Sequence, residues 1–97
     1  MQKIKMYQDS LSAVSEETEV EEEQILSNSK QEEIVDARSI LMKILTDQGF
    51  YPIQISHFTG IGVRSVNSFL QGFRARCNSR KIMRINYENV RNNLGIT

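Results

Sequence analysis

A single cysteine, Cys77, leaves this 97-residue chain without an internal disulfide, which suits a reducing, cytoplasmic setting. No stretch of about 18 apolar residues is present, so no transmembrane helix and no membrane partner are expected. The opening Met1–Tyr7 runs into polar residues without the apolar centre of a secretory signal. With one histidine, His57, no Cys/His spacing suits zinc, and no pair of groups is set up for acid–base or nucleophilic catalysis. Cys77 sits among Arg74, Arg76 and Arg80, which would lower its pKa, yet no nucleophile motif surrounds it. A structural or merely reactive thiol is expected. Nothing resembles the phosphate-binding G-x-x-x-x-G-K-[ST] loop. The expectation is a protein that is not an enzyme, with no catalytic residues, no metal and no cofactor.

What is present is a charge division that the net charge of zero hides. Residues 1–36 hold ten acids and three bases, a net −7, whereas residues 37–97 hold nine bases and two acids, a net +7. A basic unit behind an acidic segment points to a polyanionic partner for the basic half. The division predicts two parts: an acidic N-terminal arm over 1–28, partly disordered or a short amphipathic helix, and a helical domain over 29–97.

No polar/apolar alternation of strand length appears, so the fold class is all-α, a small helical bundle. Ile4, Tyr7, Leu11 and Val14 form one stripe of a short helix in the arm. The run Glu16–Glu23 places like charges at Glu17/Glu21 and Glu19/Glu23, which opposes a continuous helix there. Ser29 and Glu32 fit a capping box opening a first core helix at about 30–47, with Ile34, Ala37, Leu41, Ile44 and Leu45 inward. Asp36, Ser39, Lys43 and Asp47 fall on its other face, and Gly49 stands where a terminating glycine belongs. Pro52 opens a short second helix with Ile53, Ile55 and Phe58 as its apolar positions, and Gly60 closes it. A third helix from about Val63 gathers Val63, Val66, Phe69, Leu70 and Phe73 on one side and Arg64, Ser68, Gln71 and Ala75 on the other, with Asn78–Ser79 following its end. Asn86 reads as the cap of a last helix to Leu94, with Tyr87, Val90 and Leu94 inward.

The short helix Pro52–Thr59, the glycine turn and the longer helix Val63–Phe73 have the proportions of a helix-turn-helix. Such a pair buries one face of its second helix and offers the other to the major groove. Arg64 can bond bidentately to guanine, and Asn67 or Gln71 to adenine. Ser65 and Ser68 can serve a base or a phosphate, and Arg74, Arg76, Arg80 and Lys81 cluster beyond the helix, where they would grip phosphates.

Residues 34–94 resemble the C-terminal DNA-binding domain (domain IV) of the bacterial replication initiator DnaA. Ala37-Arg38-Ser39-Ile40-Leu41-Met42 is similar to that family's first-helix pattern Ala-Arg-x-Ile-x-Met. Pro52 with Gln54-Ile55-Ser56, then Phe58 and Gly60, resembles its Leu-Pro-Glu-Ile-Gly motif and following turn. Lys81-Ile82 and Tyr87–Leu94 look like its closing helix. The resemblance implies a small helical domain reading DNA, with Arg38 on the backbone or minor groove and Arg64-Ser65-Val66 in the major groove. The chain departs from the family at Val63–Val66, which replaces Asp-His-Thr-Thr-Val, and at Asp36, where a basic residue is usual. With no ATPase module present, the resemblance is to a freestanding relative.

Two functions follow. One is a double-stranded-DNA-binding regulator of transcription or replication, a homodimer if residues 4–14 or the last helix supply an interface. The other is a protein-interaction module that keeps the helix-turn-helix while the acidic arm masks the basic surface or engages a protein partner.

Overall fold

The computed structural model describes residues 2–96. It is all-helical: α1 (Gln2–Thr18), α2 (Glu22–Ile25), α3 (Glu32–Asp47), α4 (Pro52–Thr59), α5 (Val63–Ser79) and α6 (Lys81–Leu94), with no strand among the described residues. α3 runs through the middle, and Ile40, Leu41, Met42, Ile44 and Leu45 are fully buried along it. Each such side chain contributes about 1.5–3 kcal/mol through removal from water. The expected polar face of α3 is not a solvent face. Asp36 and Ser39 are buried because α5 and α6 pack on that side, so the helix is covered nearly all round.

The largest correction concerns residues 1–28: the amphipathic helix expected there forms, with Tyr7, Leu11 and Val14 of its stripe buried, but it belongs to the core and is not an appended arm. α1 packs against α3 and α6, burying Tyr7, Ser10, Leu11, Ala13 and Val14. Ile4, expected on the same stripe, is exposed. Ser10 donates to Met6 O (2.7 Å) and accepts from Gln48 Nε2 (2.6 Å), which satisfies a hydroxyl with no solvent access. Tyr7 stacks on Phe58 (5.2 Å between centroids), Phe50 meets Phe58 edge-on, and Lys3 Nζ sits 4.2 Å above the Phe50 ring. The acidic run stays out of a single helix, as its like charges require. Glu19 turns the chain at φ +59°, and Val20 and Ile25 are the buried anchors on either side.

Helix ends follow local chemistry, with two departures. Ser29 makes no capping box with Glu32: α3 starts at Glu32 behind Gln31, whose N–H donates to Ser29 Oγ (3.2 Å) in a local turn. At the other end Gly49 (φ +96°) allows Gly49 N–H to reach Thr46 O and Phe50 N–H to reach Leu45 O, a Schellman motif. α6 starts at Lys81 rather than Asn86, because Arg80 alone, in extended conformation, separates it from α5. Met83 thereby joins Val90 in the core, with Tyr87 and Leu94 half-buried beside it.

Candidate nucleic-acid interface

The pair α4–α5 forms where the sequence places it. Gly60 (φ +77°) donates to Ser56 O (2.9 Å) and ends α4, and Ile61 N–H is caught by Thr59 Oγ1 (3.1 Å). At the start of α4 the Gln54 side chain accepts from Tyr51 N–H (2.8 Å). Ile55, Thr59 and Val66 are buried between the two helices, with Phe58, Ile61 and Phe69 packed around them. Ile53, expected inward, is 71% exposed beside Tyr51 at 70%, and Val63, expected on the apolar side of α5, is 43% exposed because it stands in the first turn, ahead of the buried Val66.

Beyond Val66 and Phe73, α5 shows solvent a continuous polar face. Arg64, Ser65, Asn67, Ser68, Gln71 and Arg74 are all exposed, and no hydrogen bond or ion pair within the described residues engages their side chains. Over 17 residues the helix extends about 25 Å at 1.5 Å per residue. Residues 48–87 include no acid, so no carboxylate of α4 or α5 opposes an anion.

Three other arginines expected to meet DNA are committed elsewhere. Arg38 is 4% exposed and donates to Ile25 O (2.8 Å), Ser29 O (3.0 Å), Gln24 O (3.2 Å) and Ser27 Oγ (3.5 Å). Its role is to tie the 24–29 segment to α3, and its burial lowers the pKa from the usual arginine value. A DNA contact for Arg38 is therefore corrected to a structural one. Arg76 and Arg80 are drawn to Asp36, at 2.8 and 2.5 Å, and Arg80 also meets Glu32 at 2.9 Å. The hydrogen bond to Asp36 holds the Arg80 guanidinium above its ordinary pKa. Both arginines are half-buried rather than freely projecting, and the basic cluster does not lie beyond the helix: Arg74 and Arg76 are within α5, which runs on to Ser79, Arg80 follows it and Lys81 opens α6. Lys81 is exposed and has neither a hydrogen bond nor an ion pair among the described residues.

The remaining chemistry is structural in character. Asp47 gathers Tyr87 Oη, Arg91 Nη1 (2.7 Å) and Lys43 (3.4 Å), joining α6 to the end of α3. Burial, and then the bond to Asp47, push the Tyr87 phenol up to about 12. Burial pushes the Cys77 thiol up, outweighing the opposite pull of Arg84, so the arginine neighbourhood does not activate it. His57 is exposed and meets the Phe58 ring edge-on.

Several clefts border α5, and two of them lie on opposite flanks. One, of about 320 Å³, lies toward α3 and is lined by Lys30, Ser65, Ser68, Gly72 and Arg76 among others. The second, of about 290 Å³, opens toward α6 and includes Lys43, Arg74, Asn78, Arg84 and Glu88. Lys30 and Arg84 were not among the residues singled out in the sequence. Lys30 lies in the acidic segment and Arg84 before the expected start of the last helix, so only the packing of α5 against its neighbours could find them.

No family model, curated protein or solved structure matches the chain. No helix among the described residues is long and apolar enough to cross a membrane.

Proposed function

We propose that the protein binds double-stranded DNA by placing α5 in the major groove, as a small regulator of transcription or replication. The observation that carries this reading is the unengaged face of α5. Six polar side chains that can bond to bases or phosphates stand exposed on it and make no bond within the described residues. Arg64, Asn67 and Gln71 are suited to base edges, Ser65 and Ser68 to bases or phosphates, and Arg74 and Lys81 to phosphates. Arg76 and Arg80 join only in so far as their carboxylate partners leave donors over. The resemblance of residues 34–94 to the DnaA domain IV pattern supports the same reading.

The test is selection of bound sequences from a random duplex pool by the full chain, followed by mobility shift across a salt series. Binding should weaken steeply as salt rises. Arg64→Ala with Gln71→Ala should erase preference among sequences, since each good base contact is worth about 1–3 kcal/mol of discrimination. Absence of binding to any fragment at 50 mM salt overturns the reading.

The second reading, a protein-interaction module, rests on a different observation than the one expected. The acidic residues cannot mask α5 as a loose arm, because α1 is packed on α3 and α6. What favours a protein partner is the exposed pair Tyr51 and Ile53 at the start of α4.

A further inference from the structure

A helix lying in the major groove is bordered by two phosphate rows, because the groove is only about 12 Å wide. A protein built for that position therefore needs a cation on each flank of the helix, not on one. Both flanks of α5 have one. On the α3 side, Lys30 stands over the cleft with Ser65, Ser68 and Arg76, and no carboxylate lines it. Arg76 uses its Nε–H on Asp36, and no hydrogen bond of its Nη groups is seen among the described residues. Asp36 thus sets the guanidinium in place without occupying all of it. Glu32 lies further along the same flank, paired with Arg80. Lys30 therefore supplies the net charge of the cleft. On the α6 side, Arg74 and Arg84 converge with Asn78, against one carboxylate, Glu88, and a lysine paired to Asp47.

We propose that these clefts are two backbone-phosphate seats, one for each DNA strand, with Lys30 and Arg84 as their principal cations. The proposal rests on the DNA-binding reading and adds two residues from outside α5 to it. Gly72 fits the first seat: it lines the cleft, and a Cβ built there meets nothing within 4 Å. A glycine in mid-helix is otherwise unfavourable by about 0.5–1 kcal/mol relative to alanine. The open floor it leaves gives a phosphate room to approach the helix.

The experiment is a salt titration of binding to a 24-base-pair duplex by the full chain and its variants, with helicity checked by circular dichroism. Lys30→Ala and Arg84→Ala should each flatten the slope of log K against log salt by about 0.9, and the double variant by about 1.8. Each single change should weaken binding about fivefold or more at moderate salt. Gly72→Gln supplies a neutral, better helix former that fills the first cleft. It should raise the melting temperature while weakening binding. Lys5→Ala, at an exposed position of α1 beside Asp9, should leave the slope unchanged. If the wild-type chain binds but Lys30→Ala or Arg84→Ala keeps the wild-type slope, the two-seat proposal is overturned while the DNA reading stands. If the wild-type chain does not bind the duplex at 50 mM salt, the DNA reading fails and this proposal fails with it.

Discussion

Arg38 on α3 and Arg64 on α5 carry the same side chain and have opposite surroundings. Arg38 is sealed in and spends its donors on the carbonyls of residues 24–29, whereas Arg64 is exposed and makes no bond within the described residues. The contrast extends to the helices that bear them. α3 is covered by its neighbours, so every polar group on its inner surface must find a partner inside the chain, and no buried side-chain donor or acceptor among the described residues lacks one. α5 is covered on one side only, and its open side can be chemically unfinished because water satisfies it until a ligand does. A basic residue count therefore says little about binding. The informative quantity is how many of those cations the fold has already used.

Several changes would break or sharpen this division. The largest expected effect is from deleting residues 1–28. That removes Tyr7, Leu11, Val14, Val20 and Ile25 from the core, at about 1.5–3 kcal/mol each, against a total stability of about 5–15 kcal/mol for a domain. Circular dichroism should report loss of cooperative folding, and a stable, helical 29–97 fragment would return α1 to the status of an appended arm. Next comes Arg38→Ala, which strands several carbonyls and should cost about 2–3 kcal/mol in urea unfolding. Arg38→Lys should recover only part of this, since an ammonium cannot reproduce the planar fork.

A smaller effect separates the α3–α6 contact by pH. The Tyr87 phenol is held at about 12 in the folded chain, above the value of 10 expected when unfolded. Its contribution is therefore complete below pH 10 and is lost as pH rises through 12. Tyr87→Phe should lower stability at neutral pH through the missing bond to Asp47, yet show a shallower decline from pH 10 to 12. An unchanged alkaline slope would remove Tyr87 from that role. The smallest effect on stability belongs to Arg64→Ala and Asn67→Ala, within about 0.5 kcal/mol of wild type. If either destabilised the chain as Arg38→Ala does, the α5 face would be structural and the distinction between the two helices would fail.

Much of the α4–α5 unit was legible because its determinants are local. Pro52 at the helix start, Gly60 in the left-handed region and the spacing of Val66, Phe69 and Phe73 act over a few residues. The polar face of α5 followed from the same periodicity. Other expectations failed where local rules were answered by distant partners. Ser29 looked like a helix cap, but the chain turns two residues later. Asn86 looked like a helix start, but Met83 has a fully buried place to fill, and the helix extends back to Lys81 to fill it. Weak helix formers made 1–28 resemble an arm, yet Ser10 and Thr18 return their hydroxyls to carbonyls four residues earlier and the helix is held by packing.

By itself the sequence determined the all-α class, the α4–turn–α5 pair and the polar face of α5. Each depends on side-chain period and backbone preference, and these are carried within one or two turns of chain. Tertiary structure alone decided that α1 belongs to the core, that Arg38, Arg76 and Arg80 are engaged, and that Lys30 and Arg84 border α5. The pairings of Asp36 with Arg76 and Arg80 join residues 40 and 44 positions apart. Over such separations charge and hydrogen-bonding capacity are visible in the sequence, but the partner is set by which helices pack together.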